Sequence, residues 1–214
     1  MFFPYKDDNP RILFPFVTYT IIGINSLVFI YQYFILPPES LDHIISTYAL
    51  TPAAPSVITV FTSMFMHGGL MHIIFNMWFL WIFGDNIESV LGHKRYVLFY
   101  LICGMGAALA QIQVNTSSQI PMVGASGAIA GVLGAYLIRF PRATVHVLVI
   151  LIIFITFIRV PAMVVIGIWF LSNLTAGLGT LGVEETGGTA WFAHLGGFVS
   201  GVVLNQVFKK IRIE

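Results

Sequence analysis

Charge is what this chain has least of. Only 9% of its 214 residues are Asp, Glu, Lys or Arg, where a soluble domain carries about a quarter. So few charges cannot cover a surface that faces water, and with 57% hydrophobic residues lipid must be the main solvent. Cysteine is almost absent. Cys103 is the single one, which excludes an intrachain disulfide and a thiolate metal cluster. It lies in an apolar run and reads as a buried, inert thiol. Net charge is +1 and no basic cluster is interleaved with aromatics, which excludes nucleic acid as a partner. The first apolar run follows the polar stretch Lys6-Asp7-Asp8-Asn9-Pro10-Arg11 and lacks a small-residue cleavage site. It therefore reads as a retained span, not a cleaved leader.

What is present is apolar sequence in long runs. They cover residues 15–36, 69–91, 96–114, 126–140, 160–178 and 190–208. Runs of about 20 residues match the hydrocarbon thickness of a bilayer. The pattern predicts an all-α fold, a polytopic bundle of six transmembrane helices forming one membrane domain over residues 1–214. The run at 145–158 is very apolar but short, and Arg142 and Arg159 bound it; it is expected to be interfacial or re-entrant. The fourth span is short too, which a helix can be if it starts in a water-filled pocket below the surface. The stretch 37–66 is rich in Leu41, Ile44, Ile45, Tyr48, Val57, Ile58 and Phe61. That is too apolar for a loop in water, and short amphipathic pieces submerged at the interface are expected.

With six spans all ten basic residues fall on one side: Lys6, Arg11, Lys94, Arg95, Arg139, Arg142, Arg159, Lys209, Lys210 and Arg212. The opposite loops hold Glu39, Asp42, Glu184 and Glu185. The positive-inside rule then makes both termini cytoplasmic. A multi-pass protein of the plasma (cell inner) membrane is expected. Ser126, His194, His67, His72 and Asn76 all gather at the outer ends of their spans.

Those residues carry chemistry. Ser126 lies in Gly124-Ala125-Ser126-Gly127 and His194 in Ala193-His194-Leu195-Gly196-Gly197. An ionisable residue inside a span is costly to keep, and serine is a poor nucleophile without an adjacent base. Gly127 and Gly131, like Gly197 and Gly201, form small-xxx-small faces that let helices approach. Such packing accounts for the glycines and would bring Ser126 within reach of His194. His72 and Asn76 are spaced i, i+4 and share a helix face. With the Ser126 backbone N–H they could donate to an oxygen that gains negative charge. Helix–helix hydrogen bonding is the alternative for that pair, as is a metal site with His67, His72 and His194. No carboxylate lies near them and His67 and His72 are off one face, so neither metal nor cofactor is expected. No Asp or Glu is placed to orient His194, which supports a dyad and not a triad. Asp85 and Glu88 lie at the inner end of the second span, and Glu88 is expected to cap or cross-link helix ends. Asn25, Ser26, Gln111, Gln113, Ser172, Asn173 and Asn205 read as interhelical hydrogen bonders.

Three motifs in this order resemble the rhomboid family of intramembrane serine proteases: His67-x4-His72-x3-Asn76, Gly124-x-Ser126-Gly127, and Ala193-His194-x2-Gly197-x3-Gly201. Gly84-x3-Glu88-x3-Gly92 is similar as well. The resemblance runs from about residue 15 to 208. It implies a six-helix fold with a water-filled pocket open to the outside. It implies Ser126 as nucleophile and His194 as general base, with His72, Asn76 and the Ser126 amide forming an oxyanion hole. Gly124, Gly127, Gly197, Gly201, Glu88 and His67 would support that site. Substrates would be transmembrane proteins, cut near helix-destabilising, small-residue sites, and a monomer would suffice. The chain departs from the family at two positions. An aromatic found in some relatives four residues after the serine is Ala130 here, so another group must hold His194. A fifth-span position often Gln in close relatives is Asn173. Neither is expected to touch the dyad. A non-catalytic relative would usually lack the serine or the histidine, and both are present. A transporter would need a polar path through the inner half, which is not marked here.

Overall fold

The computed structural model describes residues 2–10, 12–151, 154–181 and 189–208. Strand β1 (Phe2–Asp7) precedes α1 (Phe16–Ile30), which continues as a π-helical turn over Tyr31–Ile35. Two short helices follow, α2 (Leu41–Tyr48) and α3 (Val57–Thr62). Then come α4 (Leu70–Leu91), α5 (His93–Val114), α6 (Ser126–Arg139), strands β2 (Thr144–Leu151) and β3 (Phe154–Pro161), α7 (Ala162–Gly179) and α8 (Trp191–Phe208). Each of the six apolar runs is thus helical. Among the described residues, four helical segments are long and apolar enough to cross a membrane: Phe16–Ile35, Leu70–Leu91, His93–Val114 and Ala162–Gly179. The chain is a mostly helical integral membrane protein.

Helix α6 is the centre of the bundle. It is buried from Gly127 to Tyr136, as expected of a helix that is apolar all round. Small residues decide how near its neighbours come. A Cβ at Gly197 would fall on the carbonyl oxygen of Gly127, and one at Gly201 on that of Gly131. On the α5 side, a Cβ at Gly131 would overlap Cys103 Sγ. Helices α1 and α7 are peripheral. Ile24 and Leu27 on α1, and Met163, Ile168 and Leu171 on α7, are exposed and face lipid.

The start of α1 has no side-chain cap of its own, since Pro15 precedes it. Glu88, wholly buried near the end of α4, supplies one. Its carboxylate accepts from the backbone N–H groups of Val17 and Thr18, each at 2.8 Å, and from Thr18 Oγ1 at 2.7 Å. It also lies 2.6 Å from His93 Nδ1. A negative charge at a helix N-terminus satisfies unpaired donors and suits the helix dipole.

The all-α expectation needs correction. β1, β2 and β3 form a three-stranded antiparallel sheet in that order. The run at 145–158, expected to be interfacial or re-entrant, is a β-hairpin; its residues 152 and 153 lie outside the described residues. Composition explains the outcome. The segment is dense in Val, Ile, Phe and Thr, which fit a pleated surface better than a helix. Val145 and Val147 are fully buried two residues apart, as one face of a strand requires. The free edge of β1 is held to α4: Trp78 Nε1 donates to the Pro4 carbonyl at 2.6 Å, and Phe3 stacks on Phe75 with centroids 6.0 Å apart. At its other end Asp7 accepts from Tyr136 Oη and from Asn86 Nδ2. Burial raises the Asp7 carboxyl above its ordinary range, and nearby Asp85 adds to the rise.

The stretch 37–66 is built of short pieces, with 3-10 turns at Pro38–Ser40 and Ser63–Phe65 flanking α2 and α3. Ser56 and Thr59 cap α3 reciprocally. Arg11, Glu184, Glu185, Lys209, Lys210 and Arg212 of the charge pattern lie outside the described residues.

Removing the Glu88 carboxylate strands several buried donors at once. Glu88→Ala is expected to cost about 3 kcal/mol or more, and Glu88→Gln less, because its amide keeps one acceptor. Thermal melts in detergent read this, and an unchanged melting temperature in Glu88→Ala would contradict the capping role.

Candidate active site

Ser126 opens α6 directly after a turn that only glycine makes easily. Gly124 has φ +132°, and a Cβ there would come within 2.7 Å of His72 Nε2 and 2.8 Å of its Cε1. The Gly124 N–H donates to the Ser63 carbonyl at 2.9 Å, which ties the turn to the end of the 37–66 stretch. The serine hydroxyl thereby emerges at the head of a buried helix, half-buried itself.

His194 lies in the first turn of α8. The preceding residue is pinned from α5: the Ala193 N–H donates to Gln111 Oε1 at 3.1 Å. His194 Nε2 stands 2.8 Å from Ser126 Oγ, across 68 residues of sequence. The glycine contacts between α6 and α8 set this distance, because they fix the separation of the two helix axes. A hydroxyl facing an imidazole nitrogen in this way is the arrangement that activates serine for attack.

The other imidazole nitrogen, Nδ1, lies 2.6 Å from Asn173 Oδ1 on α7. Asn173 was not expected to touch the Ser126–His194 pair, and that expectation is overturned. The Asn173 amide group also donates to the Trp169 carbonyl at 2.7 Å. The Trp169 ring lies 5.8 Å from the His194 ring, inclined by 36°, and Trp191 meets it edge-on at 6.2 Å. These groups surround His194 where Ala130, itself buried on α6, offers no ring.

Asn76 and His72 face the same space from α4. Asn76 is buried, and its Nδ2 has no hydrogen-bond partner among the described residues. A buried donor left unpaired is costly, so this one is poised to bond whatever occupies the space. His72 is half-buried, and its Nδ1 is 3.5 Å from the Gly68 N–H. His67 is fully buried, its ring edge-on to His72 with centroids 5.1 Å apart. Burial, and then the neighbouring His72, lower the His67 pKa to about 3. His67 is therefore neutral at physiological pH and packs against His72 as an uncharged ring.

A cavity of about 1100 Å³ joins these groups, lined among others by His72, Asn76, Ser126, Trp169 and His194. Gly124 and Gly127 belong to its wall. Gly197 and Gly201 lie behind it at the α6–α8 contact, and Glu88 lies far from it under α1. Two contacts are not legible in the sequence. Asn173 and Gln111 have the pattern of general interhelical hydrogen bonders, and no spacing rule ties them to the first turn of α8. The one available signal was Ala130, which left the imidazole without a neighbour.

The family model for the Rhomboid domain matches residues 54–210. The chain is 32% identical over 149 residues to RHOMBOID-like protein 1 of Arabidopsis thaliana, covering 70% of this chain and 34% of that protein. It is 28% identical over 216 residues to Rhomboid protein 1, mitochondrial, of Saccharomyces cerevisiae, covering 97% of this chain and 56% of that protein. It is 40% identical over 76 residues to Rhomboid protease GluP of Bacillus subtilis, covering 36% and 14%. The chain thus spans between a third and a little over half the length of the first two relatives.

The turn before Ser126 makes a local test. Gly124→Ala must adopt a left-handed backbone and push on His72, and is expected to destabilise by about 1–2 kcal/mol. Gly69→Ala is the control: its backbone is extended, φ 165°, and a Cβ there meets nothing within 4 Å. Equal melting temperatures for the two variants would refute the constraint.

Proposed function

The chain belongs to the rhomboid family, and on that premise we propose that it is an intramembrane serine endopeptidase that cuts transmembrane proteins by a Ser126–His194 dyad. The observation that carries this reading is the 2.8 Å approach of His194 Nε2 to Ser126 Oγ, in a cavity that also holds the unpaired Asn76 amide.

In the proposed reaction Ser126 Oγ attacks the scissile carbonyl carbon as His194 Nε2 takes its proton. The carbonyl oxygen becomes an oxyanion, stabilised by donors set in advance: Asn76 Nδ2, the Ser126 N–H and His72. As the tetrahedral intermediate collapses, the C–N bond breaks and His194 returns the proton to the leaving amine. This leaves an acyl-enzyme on Ser126. A water then attacks the ester, its proton passing to His194 and on to Ser126 Oγ, which releases the acid product. No step requires a metal or a cofactor. One chain supplies every group named, so a monomer suffices. Gly124, Gly127, Gly197 and Gly201 hold the geometry, while Glu88 and His67 support it from outside the reacting set.

We place the reaction near the outer membrane face. In this reading α1, α4, α5, α6, α7 and α8 all cross, residues 1–214 act as one membrane domain, and the 37–66 stretch lies submerged in the interface. The basic residues then face the cytoplasm together with both termini. The plasma membrane is the proposed location, although relatives include a mitochondrial protein. Substrates are proposed to be transmembrane proteins whose helices unwind at small residues, since a peptide bond inside a helix is shielded from attack.

Two measurements test the reading. In proteoliposomes holding a single-span model substrate, wild type should cleave, with Ser126→Ala and His194→Ala slower by about 10⁴-fold or more yet equally stable in thermal melts. Cleavage at the wild-type rate by Ser126→Ala would sink the proposal. For topology, Cys103 is fully buried and leaves the background clear. In intact cells a membrane-impermeant maleimide should label Ser117→Cys, and Lys94→Cys only after permeabilisation. The reverse pattern would invert the orientation.

A further inference from the structure

We propose that Asn173 is the positioning residue of His194, accepting the Nδ1 proton and so holding the imidazole in the tautomer whose bare Nε2 faces Ser126. This rests on the reading of Ser126 and His194 as the reacting pair.

Hydrogen-bond chemistry fixes four atoms in turn. The Trp169 carbonyl can only accept a hydrogen bond, so the Asn173 group facing it at 2.7 Å must be the NH₂. The amide oxygen is therefore the atom turned toward His194, 2.6 Å from Nδ1. An amide oxygen cannot donate, so Nδ1 carries the proton. In a neutral imidazole the other nitrogen is then bare, and that nitrogen, Nε2, lies 2.8 Å from Ser126 Oγ.

The choice of an amide also makes physical sense. Asn173 is 3% exposed. A carboxylate there would hold the tautomer equally well but would carry an unpaired charge into the membrane interior, which is expensive. An amide gives direction without charge. Trp169 and Asn173 are spaced i, i+4 on α7, so one face of one helix offers His194 both an acceptor and a ring. Sequence pattern gives no notice of this, because the partner sits 21 residues before the histidine on a separate helix.

The test uses the full chain in proteoliposomes with the single-span substrate, reading kcat and KM separately across pH. Asn173→Leu keeps the branched shape of the side chain and removes the acceptor. It should lower kcat about 10–100-fold with KM and melting temperature little changed. That is less than the loss from the wrong tautomer when a charged partner is replaced in a soluble triad. Asn173→Asp should restore most of kcat. Its negative charge favours the imidazolium, and since the base must be neutral to act, the acid limb of kcat/KM should move to higher pH by about one unit. A packing role for Asn173 predicts neither rescue nor that displacement. Wild-type kcat in Asn173→Leu would overturn the proposal. So would a loss that tracks the melting temperature and is not rescued by Asp. Ser126→Ala and His194→Ala run alongside: if they are inactive while Asn173→Leu is normal, only this proposal falls. If Ser126→Ala stays active, the reading beneath it falls as well.

Discussion

Everything at the site depends on how closely α6 and α8 approach. Gly197 and Gly201 have no side chain because the carbonyl oxygens of Gly127 and Gly131 occupy that space. In lipid there is no hydrophobic force between two apolar helices, so packing and hydrogen bonding must hold them. Glycine lets the backbones come near enough for both. The consequence appears one turn away, where Ser126 and His194 come within hydrogen-bonding distance. A side chain at any of these glycines would widen the crossing and separate the pair without touching either.

Several of the few polar groups in this fold join one helix to another. Glu88 supplies the cap that Pro15 cannot, joining α1 to α4. Gln111 holds the first turn of α8 from α5. Asn173 holds the imidazole from α7. These links join helices whose apolar surfaces alone would slide past one another. Asn76 differs from them. Like Gln32 and Asn205 it keeps a buried amide donor unpaired among the described residues, but it alone of these lines the cavity that Ser126 also lines.

The sheet adds a second way of closing the bundle. β1 lies along α4, from Phe3 against Phe75 to Asp7 against Asn86. Its partner β2 buries Val145 and Val147 against the helices. Backbone groups of the central strand β2 find partners on both sides, in β1 and in β3. Asp7 reaches Tyr136 at the far end of the helix that Ser126 begins, so the sheet is joined to the central helix at the end opposite the site.

The sequence by itself determined the solvent, the helices and the candidate site residues. Low charge excluded water as the main environment. Apolar runs located the helices, because 20 residues of low polarity have few other uses. Ser126, His194, His72 and Asn76 stood out because polar residues inside a span are expensive and glycine-flanked turns are distinctive. The β-hairpin was not legible as such: an apolar run of that length suits a strand, a buried helix or an interfacial segment alike, and the pairing of β2 with Phe2–Asp7 joins residues more than a hundred positions apart. Tertiary structure alone decided what holds His194. Asn173 and Trp169 look like any other residues of a lipid-facing helix, and their role comes from where α7 rests against α8. Local pattern records periodicity and cost. It does not record which nitrogen faces which oxygen across two helices, because that depends on a crossing set by side chains that are missing.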